Sequence, residues 1–139
     1  MTVCVDASLI LKCLTYEPDS EAAQAWLSTY GSQEMVAPWL LTVEVASVLR
    51  RKVRRGEVSS AEAEEAISLL AGMQIRLLAD FELVQAAFEI AGELAQPSVY
   101  DTLYLAVAQR EACELWTADT RFARAAAARF PFVRSIKEL

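Results

Sequence analysis

The residues of this 139-residue chain that could do chemistry are mainly acidic, because the sequence contains no histidine. The absence of histidine excludes serine–histidine and cysteine–histidine triads, imidazole zinc sites and a histidine general base. The three cysteines form no Cys-x-x-Cys pair and are typical of small buried hydrophobes in a reducing compartment. Chemistry in this chain must therefore depend on carboxylates, hydroxyls, amines or a bound hard metal ion.

Two candidate acids, Asp6 and Asp119, each follow a short apolar run that suits a buried strand and stand where the next helix begins. An acid at this position commonly caps the helix, contributing about 1 kcal/mol, so a structural role is the alternative for both residues. Asp80 has the same kind of position, which shows how ordinary the arrangement is. Because ligands of such sheets bind beyond the carboxyl ends of the strands, Asp6 and Asp119 are also candidates for a shared site.

The other two candidate acids, Glu44 and Asp101, fall within predicted helices. Glu44 has apolar residues one turn away, so its carboxylate is expected on or beside the buried helix face, with a side chain leaning out to solvent as the alternative. Asp101 shares a helix face with Leu105 and Ala108, but it also follows Ser98 by three residues, the place of a capping-box acid. A buried carboxylate without a partner either protonates or finds a cation.

Convergence of these four acids at one sheet edge predicts a metal site. Carboxylates that share a site raise one another's pKa unless a cation lies among them. A ligand set made only of oxygen favours Mg²⁺ or Mn²⁺ over Zn²⁺. Such an ion can activate water and neutralise a phosphate during in-line displacement, which is chemistry that needs no histidine.

A basic run from residue 50 to residue 55 holds five of the thirteen basic residues of the chain. Arg50, Arg51, Arg54 and Arg55 form a broad stripe on one predicted helix, and Arg51 lies ~10 Å beyond Glu44 along the helix axis. A nucleic-acid phosphate bound there could present the next phosphate to the acids. The alternative is a solvated helix C-terminus whose cations complement the helix dipole. The net charge of −6 argues against non-specific coating of nucleic acid.

Short apolar strands alternate with longer helices along the chain. Strands are predicted at 2–5, 35–37, 74–78, 114–117 and 132–134, and helices at 7–14, 18–31, 39–55, 59–72, 80–91, 98–110 and from 119 onward. The alternation predicts a single domain over residues 1–139. Its class is α/β, with three layers (α/β/α) and a short, mostly parallel central sheet.

Composition agrees with a globular domain, since 55% of the residues are hydrophobic and 23% are charged. No apolar stretch approaches the ~18 residues that a membrane helix needs. The first residues lack the basic segment of a signal peptide. We therefore expect a cytoplasmic protein that does not contact a membrane.

The ordered set of motifs resembles the PIN-domain family and, more narrowly, the VapC-type toxins of bacterial and archaeal toxin–antitoxin pairs. The resemblance covers essentially the whole chain and rests on residues 3–8, on Glu44 in the helix after the second strand, and on residues 98–108 and 116–122. No single motif is specific, but the four motifs in this order and at these separations are quite specific.

The resemblance implies a Mg²⁺- or Mn²⁺-dependent endoribonuclease that cleaves RNA phosphodiester bonds. The residues that match the family's catalytic and metal-binding acids are Asp6, Glu44, Asp101 and Asp119. Two hydroxyl residues, Ser8 and Thr117, match positions that support the carboxylates or a water on the metal. Some members carry a further acid where Arg121 stands here, which weakens the case for a second metal ion. A homodimer and a small VapB-like antitoxin that blocks the site are also implied.

Other functions fit the sequence less well. A haloacid-dehalogenase-like enzyme would need an acid where Ser8 stands, and a response-regulator receiver would need paired acids near the first strand. A catalytically silent PIN-like binding or scaffold module, with the acids acting only as helix caps, is the remaining alternative. The presence of all four acids favours the nuclease.

Overall fold

Five parallel strands form one central sheet in the computed structural model, which describes residues 1–138. The order across the sheet is β3-β2-β1-β4-β5, and all four neighbouring pairs are parallel. The α/β class is therefore confirmed, and the sheet is parallel throughout its described length. The strands are β1 (Thr2–Val5), β2 (Glu34–Pro38), β3 (Arg76–Leu78), β4 (Glu114–Thr117) and β5 (Val133–Ser135).

Seven α-helices connect these strands and cover both faces of the sheet. With the right-handed crossovers that parallel strands require, α1 to α4 lie on one face and α5 to α7 on the other. Within residues 1–138, no helix is long and apolar enough to cross a membrane. The helices are α1 (Ala7–Leu14), α2 (Ser20–Tyr30), α3 (Leu40–Arg54), α4 (Ser60–Gly72), α5 (Phe81–Glu93), α6 (Tyr100–Glu111) and α7 (Thr120–Ala127), followed by a 3₁₀ turn at Ile136–Glu138.

The predicted element boundaries lie within about two residues of those in the structure, and two of the differences have an identifiable physical reason. The third strand begins at Arg76 rather than at residue 74, because Gln74 has a positive φ of 55° that breaks an extended chain. The helix α6 begins at Tyr100, with Val99 at its N-cap and no side-chain bond to the cap. The predicted capping box of Ser98 and Asp101 is therefore wrong, since Ser98 lies one residue too early to cap the helix.

The centre of the core lies where α6 packs against β1, β2 and β4. Five consecutive residues of α6, 104–108, are buried because the sheet covers one side of this helix and α5 covers another. The hydroxyl of Thr102 donates to the backbone carbonyl of Ala87 at 2.8 Å and so ties the first turn of α6 to α5. These contacts fix the N-terminus of α6, and with it Asp101, at the carboxyl edge of the sheet.

Truncation of a leucine at this centre tests the packing. Leu105 is fully buried, so Leu105→Ala is expected to lower the free energy of unfolding by about 2–5 kcal/mol through reduced burial and a cavity. The matched control is Leu69→Ala on α4, whose side chain is 54% exposed, and we expect a change within about 0.5 kcal/mol. Urea unfolding of both variants measures the difference, and equal losses would contradict this account of the core.

Candidate active site

Two of the candidate acids follow neighbouring strands at the carboxyl edge of the sheet. Asp6 directly follows β1 and Asp119 lies two residues after β4, and these two strands are neighbours. The chain leaves β1 toward β2 on one side and leaves β4 toward β5 on the other, so the strand order reverses between them. This is the place where parallel α/β sheets bind ligands.

The carboxylate of Asp6 is buried and accepts three hydrogen bonds. Its Oδ1 accepts from the backbone N–H of Leu9 at 3.0 Å and from the hydroxyl of Ser8 at 2.8 Å. Its Oδ2 accepts a short hydrogen bond from the hydroxyl of Thr117, the last residue of β4. Asp6 thus caps α1, as the structural alternative requires, and also joins the ends of two strands.

Ser8 and Thr117 link Asp6 to the segment that carries Asp119. The hydroxyl oxygen of Ser8 accepts from the backbone N–H of Ala118 at 3.1 Å, and that of Thr117 accepts from the N–H of Asp119 at 2.9 Å. The two hydroxyl oxygens lie 3.2 Å apart. The structure therefore brings both predicted hydroxyl residues onto Asp6, where they fix the position of its carboxylate.

Asp119 and Asp101 are both more exposed than Asp6. Asp119 caps α7, because its Oδ1 accepts from the backbone N–H of Phe122 at 3.1 Å. Asp101 lies in the first turn of α6 and makes no capping bond, so its carboxylate stays available to the edge of the sheet. Partial burial of the carboxyl group and then the charge of Asp119 raise the pKa of Asp101.

Glu44 is half-buried on α3, beside the apolar face, as its spacing predicts. Its Oε1 accepts a hydrogen bond of 2.6 Å from the phenol of Tyr104, on α6. Burial and the charge of Asp101 raise the pKa of Glu44, whereas the bond from Tyr104 opposes that rise. Tyr104 was missed by the sequence reasoning, and the signal that could have found it is a polar atom within the apolar run of α6, three residues after Asp101.

The four acids form one electrostatic cluster with Asp101 at its centre. The charge of Asp101 contributes to the raised pKa of both Asp6 and Glu44, and Asp119 contributes to that of Asp101. Burial is the largest cause at Asp6, where it outweighs the three hydrogen bonds and raises the pKa from 3.8 to about 6. Among residues 1–138, no lysine or arginine forms an ion pair with any of the four acids.

This donor set fits a hard divalent cation. Its ligands are all oxygens, and their charge is uncompensated by any basic side chain in the described part of the chain. Across residues 1–138, no three acidic or cysteine side chains stand close enough together to hold a metal ion by themselves. An ion bound here would need water or substrate oxygens to complete its coordination.

The basic stripe lies on the exposed side of the second half of α3. Arg50, Arg51 and Arg54 are exposed and form no ion pair within residues 1–138. Arg55 follows the helix as its C-cap, and its guanidinium lies 4.0 Å from the carboxylate of Glu57. Three of the four arginines are thus available to an anionic partner, and none of the four forms an ion pair with the acid cluster.

The raised pKa of Asp6 predicts how pH affects the metal-free protein. The folded state holds the proton of Asp6 more tightly than the unfolded chain does, so this group stabilises the fold fully below pH ~4 and loses that contribution as pH rises through about 6. Relative to Asp6→Asn, the wild type should lose about 2 kcal/mol of unfolding free energy between pH 4 and pH 7. Urea unfolding in EDTA measures this difference, and parallel pH curves for the two proteins would contradict it.

Comparison with known proteins identifies the family of this chain. The PIN domain family profile matches residues 3–128. The chain is 30% identical over 129 residues to VapC ribonuclease Mb0985 of Mycobacterium bovis and equally to ribonuclease VapC9 of Mycobacterium tuberculosis, covering 93% of this chain and 94% of each relative.

Solved structures share the fold at low sequence identity. Mycobacterium tuberculosis VapC20, described as a sarcin–ricin loop cleaving toxin, matches with a TM-score of 0.71 at 18% identity, covering 95% of this chain and 98% of that one. PAE2754 from Pyrobaculum aerophilum also gives 0.71, at 20% identity, with coverage of 99% and 94%. A toxin–antitoxin complex from Klebsiella pneumoniae gives 0.71 at 14% identity, with coverage of 96% and 97%. The chain therefore belongs to the PIN-domain family and, within it, to the VapC-type proteins.

Proposed function

We propose that this chain is an endoribonuclease, the toxin of a VapBC-type toxin–antitoxin pair, which cleaves RNA phosphodiester bonds with the help of a divalent metal ion. The observation that carries the proposal is the cluster of four carboxylates without a basic partner at the switch point of the sheet, within residues 1–138. The ribonuclease names of relatives that span nearly the whole chain support it.

The proposed ligands of the ion are Asp6, Glu44 and Asp101, and Asp119 completes or tunes the pocket. Nucleases of this family generally depend on a divalent metal, and for this oxygen-only donor set we propose Mg²⁺ or Mn²⁺. When bound, such an ion neutralises charge at the scissile phosphate and activates water. The presence of Arg121, two residues after Asp119, supports a single tightly held ion.

The protein's own contribution is to hold the carboxylates close together and in fixed positions. Ser8 donates a hydrogen bond to Oδ1 of Asp6 and Thr117 donates one to Oδ2, so the carboxylate has little freedom to rotate. Burial raises the pKa of Asp6 to about 6 in the absence of metal, so a cation competes with a proton at this residue as pH falls toward that value. The active site is therefore expected to load its ion more weakly as pH falls.

The same four acids argue against a silent scaffold module. Asp6 and Asp119 cap helices and would be explained by structure alone. Glu44 and Asp101 cap no helix and form no ion pair within residues 1–138, and the charge of Asp101 raises the pKa of Glu44. A scaffold has no use for this unfavourable pair, whereas a cation site requires it.

The partners follow from the family and from two surfaces. An antitoxin like those in the Klebsiella pneumoniae complex and in VapBC2 of Rickettsia felis is the proposed protein partner, and a groove between α1, α3 and α4, lined by both apolar and acidic side chains, offers it a surface. A homodimer is proposed as well, because Trp39 and Val43 line an apolar groove and are 56% and 51% exposed. The proposed location is the cytoplasm, where both RNA and an antitoxin are present.

Cleavage of RNA by the purified protein is the first test. Freed of any bound partner, the protein is incubated with total RNA of its host under Mg²⁺, Mn²⁺ or EDTA, and new 5′ ends are mapped by sequencing. We expect a few discrete, metal-dependent cuts that disappear in Asp101→Asn, because this variant removes the central charge of the cluster.

Asp80→Asn is the matched control for Asp101→Asn. Asp80 is also an exposed aspartate beside the start of a helix, but it forms an ion pair with Arg110. This variant should therefore cut at the same positions as the wild type. If the wild type gives no cuts above the Asp101→Asn background and binds no metal, the scaffold module becomes the better interpretation.

The basic stripe on α3 predicts how the affinity for RNA depends on salt concentration. Replacing Arg51 and Arg54 by glutamine should weaken binding of single-stranded RNA and flatten the dependence of log K on log salt by about 0.7 for each phosphate that the variant no longer neutralises. Fluorescence anisotropy in the Asp101→Asn background measures binding without cleavage. Arg129→Gln, at an exposed arginine paired with Glu93, serves as the control and should keep the wild-type slope. An unchanged slope in the double variant would assign the stripe to ordinary solvated surface.

A further inference from the structure

We infer that Tyr104 is a positioning residue of the proposed nuclease site, where its phenol orients the carboxylate of Glu44 for the metal ion. The inference rests on the proposed function, because it assigns a role within the same site. Tyr104 is 2% exposed, and its hydroxyl donates to Oε1 of Glu44 at 2.6 Å. Within residues 1–138, this is the hydrogen bond that joins α3 to α6 through side chains.

The bond from Tyr104 is the polar contact that holds Glu44. Glu44 forms no ion pair, and its carboxylate accepts no other hydrogen bond within the described part of the chain. A glutamate side chain has three rotatable bonds, and ordering it for a ligand costs free energy at the time of binding. A partner that orders the side chain beforehand removes part of that cost.

The position of Tyr104 on α6 connects two of the proposed ligands. Asp101 lies three residues earlier on the same helix, so the two side chains are neighbours along one helix face. The phenol of Tyr104 therefore holds the carboxylate of Glu44, on α3, against the helix that carries Asp101. The bond occupies Oε1 of Glu44 and leaves Oε2 for a cation.

A phenol suits this role better than a charged donor would. Lysine or arginine at this place would neutralise Glu44 and compete with the cation for it. A phenol donates one hydrogen bond and carries no positive charge, so the negative potential of the cluster is kept. Partners of this kind, which hold a ligand without touching the metal, typically change metal affinity or activity by about 10- to 100-fold when they are removed.

The experiment removes the hydroxyl and keeps the ring. Tyr104→Phe should bind Mn²⁺ at least about tenfold more weakly than the wild type in isothermal titration calorimetry. It should also need correspondingly more metal for half-maximal cleavage, with the rate at saturating metal largely recovered. The matched control is Tyr30→Phe, since Tyr30 lines a groove together with Met1 and Thr2 at the start of β1, and the Mn²⁺ affinity of this variant should equal that of the wild type.

A double-mutant cycle separates positioning from general packing. In the Glu44→Ala background, Tyr104→Phe should cause no further loss of Mn²⁺ affinity, because the carboxylate on which the phenol acts is gone. An equal loss in both backgrounds would mean that Tyr104 supports the site only through the core and would overturn the inference.

A spectroscopic measurement on the wild type covers the case in which Tyr104→Phe fails to fold. The chain has four tyrosines, and ring Cζ resonances of ¹³C-labelled protein can be assigned by single Tyr→Phe changes at the other three. Addition of Mg²⁺ should shift the Cζ resonance of Tyr104 saturably and leave that of Tyr30 unchanged. If the Cζ chemical shift of Tyr104 does not change on addition of Mg²⁺, the inference is wrong.

The outcomes for the two proposals are distinct. If the wild type binds Mn²⁺ and cuts RNA while Tyr104→Phe has the same affinity and the same metal requirement, the inference is wrong and the nuclease stands. If the wild type neither binds Mn²⁺ nor cuts RNA, the proposed function and the role of Tyr104 are both wrong.

Discussion

Burial of a carboxylate between the ends of β1 and β4 is the constraint on which the rest of this site depends. Desolvation makes ionised Asp6 unfavourable, and its three hydrogen bonds recover only part of that cost, since the pKa remains raised to about 6. The hydrogen bonds come from the start of α1 and from the end of β4. The parallel pairing of the two strands must therefore be correct before Asp6 can be accommodated at all.

The same backbone features serve stability and the proposed chemistry. A helix that follows a parallel strand needs an acceptor at its N-terminus, and Asp6 and Asp119 both provide one. In both residues Oδ1 accepts the capping bond, so Oδ2 takes no part in capping. Oδ2 of Asp6 accepts a hydrogen bond from Thr117. The capping role and the proposed ligand role of these residues are therefore compatible, and a capping bond alone cannot decide between a scaffold and an enzyme.

The sequence allowed the fold class to be predicted because strand and helix periodicity are local properties. The position of Glu44 beside the buried face followed from its apolar neighbours in the same way. The hydrogen-bond partner of Glu44 could not be predicted in this way, because Tyr104 is 60 residues away in the sequence. The two side chains come into contact only when α3 and α6 pack on opposite sides of the sheet edge. The capping box at Ser98 was wrong because the start of α6 is fixed by tertiary contacts, such as the bond from Thr102 to Ala87, and not by the capping residue.

The distribution of positive charge agrees with the proposed cation site. A lysine or arginine paired with Glu44 or Asp101 would relieve their repulsion and stabilise the metal-free fold, but it would occupy the place proposed for the cation. The cluster is instead supported by neutral donors, namely the hydroxyls of Ser8, Thr117 and Tyr104. The arginines of the basic stripe lie on the outer side of α3, where they can attract a phosphate backbone without neutralising the carboxylates. Such a separation keeps the metal-free protein less stable than it could be, and a bound cation would restore that stability by binding only the folded state.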